Sequence, residues 1–142
     1  MRDELVDAVD GFGGRVRVLT IYIAEAHARE EWPIGEAHSN GGVLSLAQAK
    51  SLAERRAAAR IFEQQLAWPF AIYVDGMGDA FEATFAAWPL RFFVVAADGQ
   101  TIAHVAHPEP GQYTYSPASL IAPLRAALDA CVAYACDATV RG

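Results

Sequence analysis

A carboxylate and an imidazole two residues apart, Glu25 and His27, close the most hydrophobic run of the chain. A histidine titrating near neutrality can hold or deliver a proton, and a neighbouring carboxylate can fix its tautomer, so the pair has the residue types of an acid–base couple. The run before it, Val16, Val18, Leu19, Ile21, Tyr22 and Ile23, is β-branched, aromatic or aliphatic with little polar interruption. That pattern predicts a parallel strand over residues 15–24, covered on both faces, because a half-exposed strand would alternate. If strand geometry persists to His27, the two side chains project from one face at the strand end, where open α/β sheets place their ligands. The plainer alternative is a strand-end salt bridge with a solvated histidine.

The elements that must position this pair follow from the pattern on either side. Residues 2–10 carry Leu5, Val6 and Val9 among acidic residues and predict the last turns of an amphipathic helix, stopped by Gly11, Gly13 and Gly14. Residues 28–43 have loop composition, and a loop this long directly after His27 predicts a functional overhang. A helix is predicted over 45–67, with Leu52, Ala59, Phe62 and Leu66 on one face and Pro69 ending it. Residues 70–75 predict a short strand and 79–87 a short helix. Between them Asp75 is expected to initiate the helix, with a site-lining role as its alternative, and Met77 to fill core. Asp98-Gly99 between residues 90–97 and 101–105 predicts a two-residue hairpin. Ser116-Pro117 then predicts the N-cap and first position of a final helix, with Leu120, Leu124, Leu128, Cys131 and Ala135 as its core stripe.

Composition removes several function classes. With 142 residues, 54% hydrophobic and 20% charged, the chain is one soluble domain in size. A formal charge of −6 and a single lysine, Lys50, leave no basic footprint for nucleic acid. The apolar stretch after Arg17 is broken by Glu25, too short for a membrane span or a signal segment, so a cytoplasmic location is expected and no membrane partner for this chain. Cys131 and Cys136 are no CxxC pair. On a helix they would lie ~7.5 Å apart along the axis, too far for a disulfide. Of the four histidines, His27, His38, His104 and His107, the last two have a helical spacing but fall at a strand end and on a loop. No zinc site and no other cofactor is expected.

The heptapeptide IYIAEAH at residues 21–27, followed by Trp32, resembles the strand-and-loop signature of the iodothyronine deiodinases, thioredoxin-fold selenoproteins that reductively remove iodine from aromatic rings. The resemblance continues in family order through Lys50-Ser51-Leu52, Arg55, Ala57-Ala58-Ala59, Val74-Asp75-Gly76-Met77, the stretch AAWPLRF at residues 86–92 and PGQYTYSP at 110–117. It implies an α/β, thioredoxin-like, peroxiredoxin-related domain over residues 1–142, N-terminally incomplete, with its first, central strand missing. Either the sheet closes over that gap, or its edges want a partner such as a second copy of the chain.

The resemblance also implies a site. A selenocysteine or cysteine nucleophile is expected upstream of Met1, the chain beginning at the first methionine after a selenocysteine codon; an alternative start or a pseudo-enzyme is the competing explanation. Glu25 and His27 resemble the acidic and imidazole residues that flank selenium, and Trp32, His38, Asp75, Tyr113 and Tyr115 are expected to line the substrate. Ala49 stands where the vertebrate enzymes carry a histidine, and the basic residue of their substrate clamp is replaced around Glu109 and Pro110. The expected function is a thiol- or selenol-dependent oxidoreductase acting on an aromatic iodide, as a thyroxine 5'-deiodinase does, or on a peroxide, with an external thiol reductant. The competing class is a non-catalytic binding or scaffold module on the same fold.

Overall fold

The computed structural model describes residues 2–31, 46–96, 99, 102–106 and 121–131. In chain order the elements are α1 (Arg2–Asp10), β1 (Leu19–Tyr22), α2 (Leu52–Gln65), β2 (Ala71–Val74), α3 (Ala80–Phe85), β3 (Phe92–Val95), β4 (Ile102–Ala106) and α4 (residues 121–131). The architecture is mixed α/β with a small parallel sheet. The chain divides into two compact units, Val18–Leu90 and a second made of Met1–Arg17 with Arg91–Gly142.

The unit Val18–Leu90 is a β–α–β crossover. β1 and β2 run parallel in the register Leu19↔Ala71 to Tyr22↔Val74, and the Asp75 N–H extends the ladder to Tyr22 O at 2.9 Å. Parallel strands need a crossover connection, which α2 supplies. Residues opposite one another share a face, so Thr20, Tyr22, Ile72 and Val74 form one side of the sheet. On that side Tyr22 meets Phe62 of α2 edge-on, ring centroids 6.0 Å apart, and Trp68 packs on both Phe62 and Phe70. The Trp68 indole donates to Thr20 Oγ1 at 2.8 Å, which satisfies its one polar group within the aromatic cluster.

The other side of the sheet carries Leu19, Ile21, Ala71 and Tyr73, and Leu19 and Tyr73 are 55% and 56% exposed. Among the described residues, the expected cover on both faces of β1 is therefore incomplete, at Leu19 above all. The strand is also shorter than residues 15–24. Before it, Arg15 bonds back to Phe12 O through both its backbone N–H and Nε, and after it the chain bends at Ala24.

α2 begins at Leu52, later than residue 45, because Ser51 caps it. Ser51 is extended, its Oγ accepts the Glu54 N–H at 3.2 Å, and the Glu54 carboxylate accepts the Lys50 N–H at 2.7 Å, a near-reciprocal cap that stops the helix from extending backward. Its far end is Leu66, which is exposed at the C-cap instead of lining the core. The buried residues of α2 are Arg55, Ala58 and Ala59. Met77, expected in the core, lies 40% exposed on the turn between β2 and α3.

In the second unit, α1 buries Leu5 and Ala8, with Phe12 buried just beyond its end. Gly13 and Gly14, at φ 60 and 80, take the left-handed backbone that ends the helix at low cost. β3 and β4 form the predicted antiparallel hairpin, with a register shift between Phe92 and Phe93. Between the strands the Gly99 N–H bonds Ala96 O at 2.9 Å; Asp98, the first residue of the predicted two-residue turn, lies outside the described residues. α4 buries Leu124 and Leu128, the predicted stripe, with Cys131 half-buried at its end. Ser116, Pro117, Leu120, Ala135 and Cys136 lie outside the described residues.

Candidate functional site at the ends of the parallel strands

β1 and β2 end together at Tyr22 and Val74, and the segments leaving them carry Glu25, His27 and Asp75. Glu25 and His27 are not on a continued strand. The chain bends at Ala24 and turns through Ala26 and His27, so the two residues stand on a turn, where the His27 charge acts on the Glu25 carboxyl. Ala28, almost fully buried, anchors that turn, and its carbonyl accepts the Glu31 N–H at 3.1 Å.

Burial pushes the Glu25 carboxyl above its ordinary range, and the neighbouring His27 charge offsets part of that rise. A carboxyl held toward its neutral form beside an imidazole has the environment of a group that exchanges protons, where a fully solvated glutamate has none.

Gln48 fixes the backbone under this pair. Its side-chain Oε1 accepts the Glu25 N–H at 3.1 Å and its Nε2 donates to Glu25 O at 3.1 Å, so one amide satisfies both backbone groups of Glu25. The segment carrying Gln48 is itself tied down. The Gln48 N–H donates to Glu30 at 2.8 Å, Nε2 also reaches Glu31 at 3.3 Å, and the Arg29 N–H bonds Leu46 O at 2.8 Å. Sequence reasoning missed Gln48 because it placed residues 45–50 inside a helix.

Asp75, 93% buried, spends its carboxylate on the start of α3. Oδ1 accepts the N–H groups of Gly76 at 2.9 Å and Phe81 at 3.2 Å, and Oδ2 accepts that of Glu82 at 3.0 Å. Its helix-initiating role is thus visible directly. The formal N-cap, Asp79, has a left-handed backbone and makes no side-chain cap.

Beneath this turn lies Arg55, only 3% exposed. Its Nη1 donates to Gly76 O at 2.8 Å and Asp79 Oδ1 at 2.6 Å, with Asp75 O at 3.4 Å. Among the described residues, the buried Arg55 Nε and Tyr22 hydroxyl have no hydrogen-bond partner.

Trp32, His38, Tyr113 and Tyr115, expected to line a substrate, lie outside the described residues, as do His107, Glu109 and Pro110; His104 falls within β4. Among the described residues no group of three His, Cys, Asp or Glu side chains is placed to hold a metal ion, and no helix is long and apolar enough to cross a membrane. A groove of about 480 Å³ between α2 and β2 is lined by Arg56, Ala59, Arg60, Glu63, Ile72, Tyr73 and Val74, none of them an expected site residue.

The arrangement is that of an α/β protein whose titratable pair sits just past the C-terminal ends of parallel strands, the position such sheets reserve for ligands. The family model for iodothyronine deiodinase matches residues 3–126, and the chain belongs to that family. The match takes in Glu25, His27, Gln48, Arg55 and Asp75. A search of curated proteins found no match.

Proposed function

We propose that the protein is a deiodinase-like oxidoreductase in which Glu25 and His27 handle the proton of a reductive dehalogenation. Membership of the deiodinase family supports the reaction class. The observation that carries the residue assignment is the half-buried Glu25 carboxyl, raised by desolvation and answered by His27, past the strand ends. In removing iodide from an aromatic ring the carbon–iodine bond breaks and the ring carbon takes up a proton, while two electrons come from thiol. His27 is the donor in reach of that proton chemistry, and Glu25 orients it. The same reading makes the fold thioredoxin-like, with a further parallel strand beside β1 and a selenocysteine or cysteine nucleophile supplied from outside these residues. Leu19, half-exposed on β1, is consistent with added cover there. An aromatic iodide is the preferred substrate class, a peroxide the second.

The test is iodide release from an aromatic iodide by the complete gene product with a dithiol reductant. Thiol-dependent turnover that collapses in His27→Ala supports the proposal. Stoichiometric binding with no turnover supports instead the binding-module reading, which one feature favours: the histidine of the vertebrate clamp is replaced here by Ala49.

A further inference from the structure

We propose that Gln48 is a positioning residue for the Glu25 carboxyl, its side-chain amide standing in for a neighbouring strand where β1 has already ended. The inference rests on the acid–base reading of Glu25 and His27 and names what holds that pair in place. Ladder pairing of β1 stops at Tyr22, three residues before Glu25. From there a backbone would ordinarily satisfy its polar groups with water and remain free to turn. At Glu25 both groups are instead taken by one side chain, Oε1 accepting and Nε2 donating at 3.1 Å each, the two-point pattern of a paired strand residue.

A residue bonded through both its N–H and its C=O has restricted φ and ψ, which fixes the direction of the Glu25 side chain and the start of the turn that ends at His27. A single bond to either group would leave one rotation open. The clamp is rigid because Gln48 is itself held, its N–H by Glu30 at 2.8 Å and its Nε2 by Glu31 at 3.3 Å. Among the described residues, those two carboxylates are tied to this clamp, and the His27 charge acts on Glu25. Asparagine at position 48 would keep the amide but, one methylene shorter, could not span both bonds from the same backbone position.

The experiment follows the Glu25 carboxyl by residue-assigned carbon-13 NMR titration in the parent, His27→Ala, Gln48→Ala, and the double variant, with amide exchange of Glu25 measured alongside. Glu30 and Glu31 are assigned separately. In the parent background His27→Ala should raise the Glu25 midpoint, because the imidazolium that draws it down is gone. In the Gln48→Ala background the same change should move it less than half as far, and the Glu25 amide should exchange roughly tenfold faster, the equivalent of one lost hydrogen bond. Gln48→Asn, which keeps polarity and the fold's charge balance, should behave as Gln48→Ala does, and it carries the test if the alanine variant fails to fold. A full His27 effect retained in both Gln48 variants overturns the positioning role while leaving the acid–base pair standing. A Glu25 midpoint indifferent to His27→Ala in the parent overturns the pair itself, and the role of Gln48 falls with it.

Discussion

Arg55 reaches from the buried side of α2 to place one guanidinium nitrogen 2.6 Å from Asp79 Oδ1, and the same nitrogen lies 2.8 Å from Gly76 O. One cation therefore closes the turn between β2 and α3 and holds Asp79 at φ 50, a left-handed backbone that few residues other than Gly, Asn and Asp accept. Asp79 is partly exposed, so solvent screens its half of the ion pair, whereas the carbonyl contacts are made by a nearly fully buried arginine. Arg55→Met, which preserves volume, is expected to lower stability by about 3 kcal/mol, since it removes a buried donor shared by the Asp75 and Gly76 carbonyls and Asp79. Asp79→Asn should lower it by about 1 kcal/mol or less. Urea unfolding separates the two, and equal losses would mean that the ion pair dominates after all.

His27→Ala is expected to depress reductive turnover of the complete gene product by roughly 10² to 10⁴, the yield of one positioned acid–base group, with little change in stability because the residue sits on a turn. Glu25→Gln should act in the same direction through orientation of the imidazole. The double variant should then lose less than the product of the single losses. Rates at substrate below saturation decide it, and parent-like turnover in His27→Ala would return the pair to a plain surface contact.

The Glu25 carboxyl also predicts a pH dependence. Its folded value lies above the unfolded one, so the native state keeps a proton the unfolded chain has released, and stability falls as pH rises from the ordinary carboxylate range through the raised value. Below that window the contribution is fully favourable, and above it the half-buried charge is a standing cost. Glu25→Gln should remove this slope, gaining on the parent at about pH 7 relative to about pH 4. Urea midpoints of the two proteins at both pH values provide the measurement; a parent–variant difference that does not change with pH contradicts it.

Leu19 and Tyr73, on one face of the β1/β2 sheet and each more than half exposed, form an apolar surface without a flanking charge on either strand. Strand surfaces of this kind pair or aggregate unless covered. Expressed as these 142 residues, the protein is expected to self-associate or to melt with low stability, and Leu19→Lys with Tyr73→Lys should shift it toward monomer. Light scattering coupled to size exclusion, with a thermal melt, checks this. A monomeric parent melting cooperatively well above physiological temperature would refute it.

That two titratable residues, Glu25 and His27, follow closely on β1 was legible, because the apolar run ending in them is a local signal. The geometry joining them was not. Alternation within a strand assumes that the ladder continues, and here a side chain 23 residues away takes over the backbone bonds. A glutamine carries no periodicity and no charge, so nothing near residue 48 announces that role. Arg55 did leave a trace. It falls on the stripe of Leu52, Ala59 and Phe62, where a charged residue must find partners inside the fold. The hairpin, α1 and the buried leucines of α4 followed directly from turn chemistry and helical spacing. Met77 did not, since residue type alone says core while the turn it occupies faces outward.

The staple between residues 25–31 and 46–48 bears on how this chain tolerates change. With the Arg29 N–H on Leu46 O and Gln48 on Glu25, both ends of the intervening stretch are anchored to each other. Lengthening such an anchored stretch costs only about 0.6 kcal/mol per doubling in closure entropy. The backbone of Glu25 is therefore set by bonds that begin and end within residues 25–31 and 46–48, and changes in length elsewhere in the chain reach it only through that closure entropy.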